Sequence, residues 1–326
     1  MKLFAFRPNR ITRTGDDSPA SSLLRYVWRM SGRHQIAVCL LALAVAGLSM
    51  LPIALQKRLV DDAIGGGSLR LLALLTLAYL AVLLLQAALK YALRLYQGWL
   101  SESATRYCRA HLAERHAARR EAGEAGEQQG QAVSVITSEI DVLGGFVGEG
   151  LSQPAVNLGM LLAIAGYMLA VEPLVAGLSF LLLLPQALLV PLIQRRINRL
   201  LERRVGLIRR LSDRISQSEE PEAGQDEDAE ATPFDRLLDR IFGNRMAIFA
   251  AKFAMKGLVN LMNAMAPLTV LAVGGYFVIQ GQTSIGVVVA FMSGFDRRAD
   301  PLRDLLSYYR FAAQALVQHR MIARWM

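Results

Sequence analysis

The chain has 326 residues, 53% of them hydrophobic, yet 36 Lys and Arg stand against 27 Asp and Glu for a net charge of +9. A mean hydropathy of +0.32 beside 19% charged residues requires the two kinds to be segregated along the chain, as in membrane spans with soluble extensions. Basic residues flanking such spans follow the positive-inside pattern, which argues against nucleic acid as a partner, and Cys39 and Cys108 have neither metal-ligand spacing nor any need of an oxidising compartment.

In chain order, residues 1–33 form an N-terminal segment with Lys2, Arg7, Arg10 and Arg13. The first apolar run starts only at Ile36 and has full span length, so it is expected to be a retained helix and not a cleaved leader. Apolar stretches occupy residues 36–55, 71–89, 151–171, 174–193 and 261–279. Each can cross a hydrocarbon core of roughly 30 Å at about 1.5 Å per residue. A sixth, 285–295, runs at once into Asp296, Arg297, Arg298 and Asp300. It counts as a span because a helix can carry charge through a bundle or a water-filled cavity. The expected fold is therefore all-α: a polytopic membrane protein with six transmembrane helices and long cytoplasmic extensions. Its domains are the cytoplasmic segment 1–33 and a six-helix membrane domain over 34–326, with cytoplasmic hairpins at about 94–145 and 195–256.

Charge sets the orientation. Arg25, Arg29 and Arg33 precede the first span, a run from Arg94 to Arg120 follows the second, and eight arginines from Arg195 to Arg214 follow the fourth. The third and fourth spans are joined only by Glu172 and Pro173, and the fifth and sixth by the uncharged residues 280–284. This asymmetry predicts an inner (plasma) membrane protein with both termini cytoplasmic. In the first outside loop Lys57 and Arg58 sit beside Asp61 and Asp62, and Gly65, Gly66 and Gly67 permit the turn into the second span.

Residues 69–120 contain no proline and only Gly98 interrupts their helix-forming composition, so a single helix of roughly 75 Å is expected to project beyond the membrane. After the fourth span Ile193, Ile197, Leu200, Leu201, Val205, Ile208 and Leu211 or Ile215 recur at helical spacing as one apolar stripe. Ala155, Gly159 and Ala163, and likewise Gly286, Ala290 and Gly294, allow close helix approach. Pro185, Pro191 and Pro267 are expected to kink their helices. Lys90, Arg94, Lys252 and Lys256 read most simply as side chains snorkelling to headgroups, binding of an anionic substrate being the alternative.

Three groups of residues carry a family resemblance. They are Pro52 with Leu59, Val60, Asp61, Asp62 and Ala63; then Gly130, Ser134, Ile136, Glu139, Asp141 and Phe146; then Ser284, Ile285, Gly286, Ala290, Phe291, Pro301, Leu302 and Leu305. In this order and spacing the chain resembles the transmembrane domain of six-helix, type-1 ABC exporters. The resemblance implies that Gly130, Ser134, Glu139 and Asp141 belong to a coupling helix seated on a nucleotide-binding ATPase subunit. It also implies that the pore needs a homodimer or a related half-transporter, and that ATP-Mg is held by the partner, this chain having no cofactor of its own. Val135, Ser138 and Glu139 stand where the family often has Arg and an Asn-Asp pair, and the second hairpin tip, residues 219–230, is an acidic run with Pro221 and Gly224. No G-x-x-x-x-G-K-[ST] loop occurs, so this polypeptide by itself is not expected to be an enzyme.

Candidate cavity residues are Asp296, Arg297, Arg298 and Asp300, with Tyr308 and Tyr309 further along. For the charged cluster the alternative is self-neutralisation, Asp300 lying three residues from both Arg297 and Arg303. For the tyrosines it is anchoring at the interface. His34, His111, His116 and His319 are scattered and suggest neither a metal site nor a catalytic triad. The expected function is the permease subunit of an exporter-like transporter driven by a separate ATPase. The alternatives are a proton-coupled transporter of the same bundle and a non-transporting membrane adaptor.

Overall fold

A computed structural model describes residues 7–9, 11, 22–121, 140–181, 184–217 and 233–325. Among them every regular element is helical. The chain forms two compact units, one of Met1–Pro173 with Phe277–Met326, the other of Leu174–Tyr276.

The first unit opens with α1 (Leu23–Ser31), whose N-terminus is capped by the Ser22 hydroxyl accepting from the Arg25 amide at 3.3 Å. Gly32, at φ +51°, ends it, its N–H donating to the Trp28 carbonyl. One face of α1 buries Tyr26, Val27 and Met30, while Leu24 and Trp28 stay exposed. Next come α2 (Arg33–Leu48) and α3 (Leu51–Arg58), with Pro52 in the first turn of α3 where its missing N–H has no helical partner to lose. A wider turn, Leu59–Ile64, leads to Gly67 at φ +66°, which reverses the chain into α4 (Leu69–Glu121). At 53 residues α4 is about 80 Å long. It packs against α5 (Ile140–Glu149) where Gly144 and Gly148 face Thr105, Ser101 and the Gln97 carbonyl. A Cβ at Gly148 would collide with that backbone oxygen, so only glycine permits the approach. The next helix, α6 (Ser152–Val171), packs along α2, with Gly159 against Ala46 as the small-residue spacing predicts.

The second unit contains α7 (Pro173–Leu181) from Leu174 onward, α8 (Leu184–Gln217) and α9 (Pro233–Thr269), and ends within the short α10 (Gly275–Ile279). α8 and α9 pack along each other, with Ile197 buried and the Asn244 amide donating to the Leu200 carbonyl at 3.1 Å. The apolar stripe of α8 is buried only around Ile197; Val205, Ile208 and Ile215 are exposed. Pro185 lies in the first turn of α8, where it disturbs nothing, whereas Pro191 is inside the helix. Pro267 is followed by the wider turn Val270–Gly274, a helix's ordinary way of absorbing an interrupted ladder.

The first unit resumes at Phe277 and closes with α11 (Ile285–Arg297) and α12 (Ala299–Trp325). Thr283 donates to the Glu172 carboxylate at 2.8 Å, and Ser284 to the Asp61 carboxylate at 2.5 Å, so the wider turn at 59–64, the end of α6 and the turn after α10 meet at one end. Asp61 also accepts from the Gly286 amide at 2.7 Å, putting a carboxylate on the first turn of α11. A Cβ on Gly286 would come within 2.5 Å of the Lys57 carbonyl oxygen. Asp61→Ala strips α11 of both bonds and is expected to lower the unfolding free energy by about 1–3 kcal/mol, read as a drop in the detergent melting temperature. Asp61→Asn, which keeps one acceptor, should lose less; equal melting of all three proteins would refute the capping role.

Four helices are long and apolar enough to cross a membrane: Arg33–Ile64, Leu69–Glu114, Ser152–Val171 and Pro233–Ile279. Of the remaining apolar stretches, 174–193 includes residues outside the described set, and α11 has only 13 residues. In Leu69–Glu114 only 11% of the most apolar stretch is buried within the protein. Leu74, Leu77 and Leu84 point outward at more than 60% exposure, a surface that only lipid or another apolar partner satisfies.

Candidate functional site

A cavity of about 340 Å³ lies inside the first unit, between the apolar parts of its helices. α2 contributes Val45 and Ser49; α4 contributes Gln86, Lys90, Leu93 and Arg94 at intervals of three and four, which is one helix face. From α6 come Gln153, Val156, Asn157 and Met160. The far wall is Arg297 at the end of α11 with Asp300, Pro301 and Asp304 on the first turns of α12. Its lining thus sets five apolar residues beside nine polar or charged ones, unlike the lipid-facing sides of the same helices.

Two of the charged walls are already paired. Arg94 lies 3.6 Å from Glu149, and Asp300 takes a hydrogen bond from Arg303. Arg297 reaches the Tyr79 hydroxyl at 3.4 Å, a neutral partner that leaves its charge uncompensated. Among the described residues Lys90 and Asp304 have no ion-pair partner. Gln86 and Asn157 are 5% and 4% exposed, and the amide nitrogen of each is buried without an acceptor. A buried N–H left unmatched costs about 1–3 kcal/mol, so two unfilled donors lie in the walls beside the cavity.

The residues singled out from sequence fall in different places. Arg297 and Asp300 line the cavity. Asp300 pairs with Arg303, which is the self-neutralising arrangement. Arg298, 8% exposed, faces inward elsewhere, its guanidinium donating to the Phe295 carbonyl at 3.2 Å and lying 4.7 Å from the Phe295 ring. Asp296 is exposed. Tyr308 packs on Phe146 and donates to the Gly150 carbonyl at 2.6 Å, holding α12 to the end of α5, while Tyr309 is 75% exposed. Asp141, in the first turn of α5, forms an exposed 2.6 Å ion pair with Arg109 of α4. Gly130, Ser134 and Glu139 lie outside the described residues. Gln86 and Asn157 carry no sequence signal as site residues: a lone amide in an apolar span becomes informative only once its neighbours are known. Lys90 and Arg94 face the cavity, although the simpler reading of the sequence has them snorkelling to headgroups and not binding an anion.

Membrane-length apolar helices around an internal cavity with polar and charged walls define a membrane transport domain. The chain belongs to the family of ABC transporter transmembrane regions, whose model matches residues 36–296. It is also 26% identical over 275 residues to a Bacillus subtilis (strain 168) protein, YgaD, whose name describes a multidrug export ATP-binding/permease protein. That match covers 79% of this chain and 47% of YgaD, so the chain spans about half the length of the curated relative.

Proposed function

We propose that this chain is the permease of an ABC-exporter-type transporter, with six spans, both ends in the cytoplasm and two copies, or this copy and a related half-transporter, forming the pore across a plasma membrane. ATP-Mg bound by a separate nucleotide-binding subunit supplies the energy. The observation that carries the reading is the cavity: charge and amide gathered where five helices meet, the place where a solute would leave water inside a bilayer. The partner subunit engages the cytoplasmic end of α4 and α5, where Asp141 and Arg109 fix the two helices to each other. Its closure shifts the bundle between inward-open and outward-open states.

Vesicles containing the full-length protein together with a nucleotide-binding protein that co-purifies with it should move fluorescent amphiphiles only in the presence of hydrolysable ATP-Mg. Recovery of no nucleotide-binding protein from solubilised membranes, together with no ATP-dependent flux, would overturn the proposal.

A further inference from the structure

Beyond transport as such, the chemistry of the cavity selects a class of ligand. Three cations line it, Lys90, Arg94 and Arg297, against two acids, Asp300 and Asp304. Arg94 and Asp300 are each engaged by a residue that does not line the cavity, Glu149 and Arg303 respectively. The charge left facing the space is that of Lys90 and Arg297 against Asp304 alone. Gln86 and Asn157 add two buried amide nitrogens that lack acceptors. Among the charged groups and these two buried nitrogens, every unfilled capacity except Asp304 is therefore a donor or a cation. Val45, Leu93, Val156 and Met160 on the same walls offer an apolar bed beside it.

We propose that this cavity binds an amphipathic molecule through an anionic, acceptor-rich head group such as a carboxylate, sulfonate or phosphate. The head lies between Lys90 and Arg297 and takes hydrogen bonds from Gln86 and Asn157, and the tail lies along Val45, Val156 and Met160. Charge-assisted hydrogen bonds from these groups are roughly twice as strong as neutral ones. A cationic amphiphile, in contrast, would meet two like charges and leave both amides unmatched. The substrate class rests on the reading of the chain as a transport domain, but binding needs neither a partner ATPase nor flux.

The full-length protein in nanodiscs of neutral phosphatidylcholine would be titrated with a dansyl-labelled long-chain fatty acid, its methyl ester and the corresponding trimethylammonium amphiphile, subtracting the signal of empty discs. The acid should bind saturably and at least about tenfold more tightly than the ester, the tenfold corresponding to roughly one charge-assisted bond. Lys90→Gln should weaken the acid by about tenfold and leave the ester unchanged. Asn157→Leu should weaken both, since either head offers an acceptor, and Asp304→Asn should tighten the acid. Lys90 is exposed and unpaired, so its replacement leaves the fold intact, which size-exclusion profiles check. Equal binding of acid and ester, preference for the ammonium compound, or acid binding indifferent to both Lys90→Gln and Asn157→Leu would overturn the assignment. Tight acid binding without ATP-driven movement would keep this site and sink the transport reading; ATP-driven movement of cations without acid binding would do the reverse.

Discussion

Gly148→Ala is expected to destabilise the protein by about 2–4 kcal/mol, while the same change at Gly98 stabilises it by up to about 1 kcal/mol. Both glycines are helical, and intrinsic propensity favours alanine at each. The difference is what the new methyl meets. At Gly148 it meets the Gln97 carbonyl and the Ser101 side chain across the α4–α5 contact, and a backbone oxygen cannot turn aside. At Gly98 nothing lies within 4 Å, and the position is exposed. α5 would have to move off α4, taking with it the buried bond from the Gln97 amide to the Ser152 hydroxyl at 2.7 Å. Thermal unfolding of the two variants in one detergent checks both signs; a Gly148→Ala protein as stable as wild type would mean that α4 and α5 are not in this register.

The second large effect concerns the docking of α1. Tyr26 is 7% exposed, its hydroxyl lies 2.6 Å from the Cys108 sulfur, and its ring meets the His319 ring edge-on at 5.6 Å, so one residue of α1 touches both α4 and α12. Removing a buried aromatic ring costs about 3–5 kcal/mol, more than a nine-residue helix is expected to retain as docking energy. Tyr26→Ala should thus release α1 and open Cys108. In a Cys39→Ser background, which leaves Cys108 as the sole cysteine of the sequence, maleimide labelling should accelerate by about a hundredfold or more, at about 1.4 kcal/mol per factor of ten. An unchanged labelling rate would show that α1 is not what shields the thiol.

The same contact predicts a pH dependence. Burial, and then the neighbouring Cys108, push the Tyr26 hydroxyl well above its ordinary value. The folded chain therefore keeps a proton that the unfolded chain releases above about pH 10. This contribution is whole below that pH and is lost as pH rises further, at up to about 1.4 kcal/mol per pH unit. Tyr26→Phe, which has no proton there to lose, should show a shallower alkaline decline than wild type.

The helical class and the positions of the apolar stretches were legible because hydrophobicity is read one residue at a time and does not depend on partners. The long α4 was legible for the same reason: fifty residues without proline leave little else to form. Small-residue spacing located Gly159 and Gly294, which lie against Ala46 and Met168. It did not single out Gly144 and Gly148, because their role depends on Gln97, Ser101 and Thr105 forty residues earlier in the chain. The cavity was half legible. Arg297 and Asp300 announced themselves as charges against an apolar run. Gln86 and Asn157 did not, since an isolated amide becomes a binding group only when other helices close around it. Composition alone also could not foresee that Tyr308 serves packing, a role set by Phe146 and the Gly150 carbonyl.

The Asp61 carboxylate joins residues 223 and 225 positions later, so its partners are made by the ribosome only after most of the chain has emerged. A nascent chain that has inserted everything up to α9 still carries an open first hairpin whose acid has only water or headgroups for company. Chains halted before Ser284 and Gly286 are made therefore lack this clasp between the first outside turn and α11.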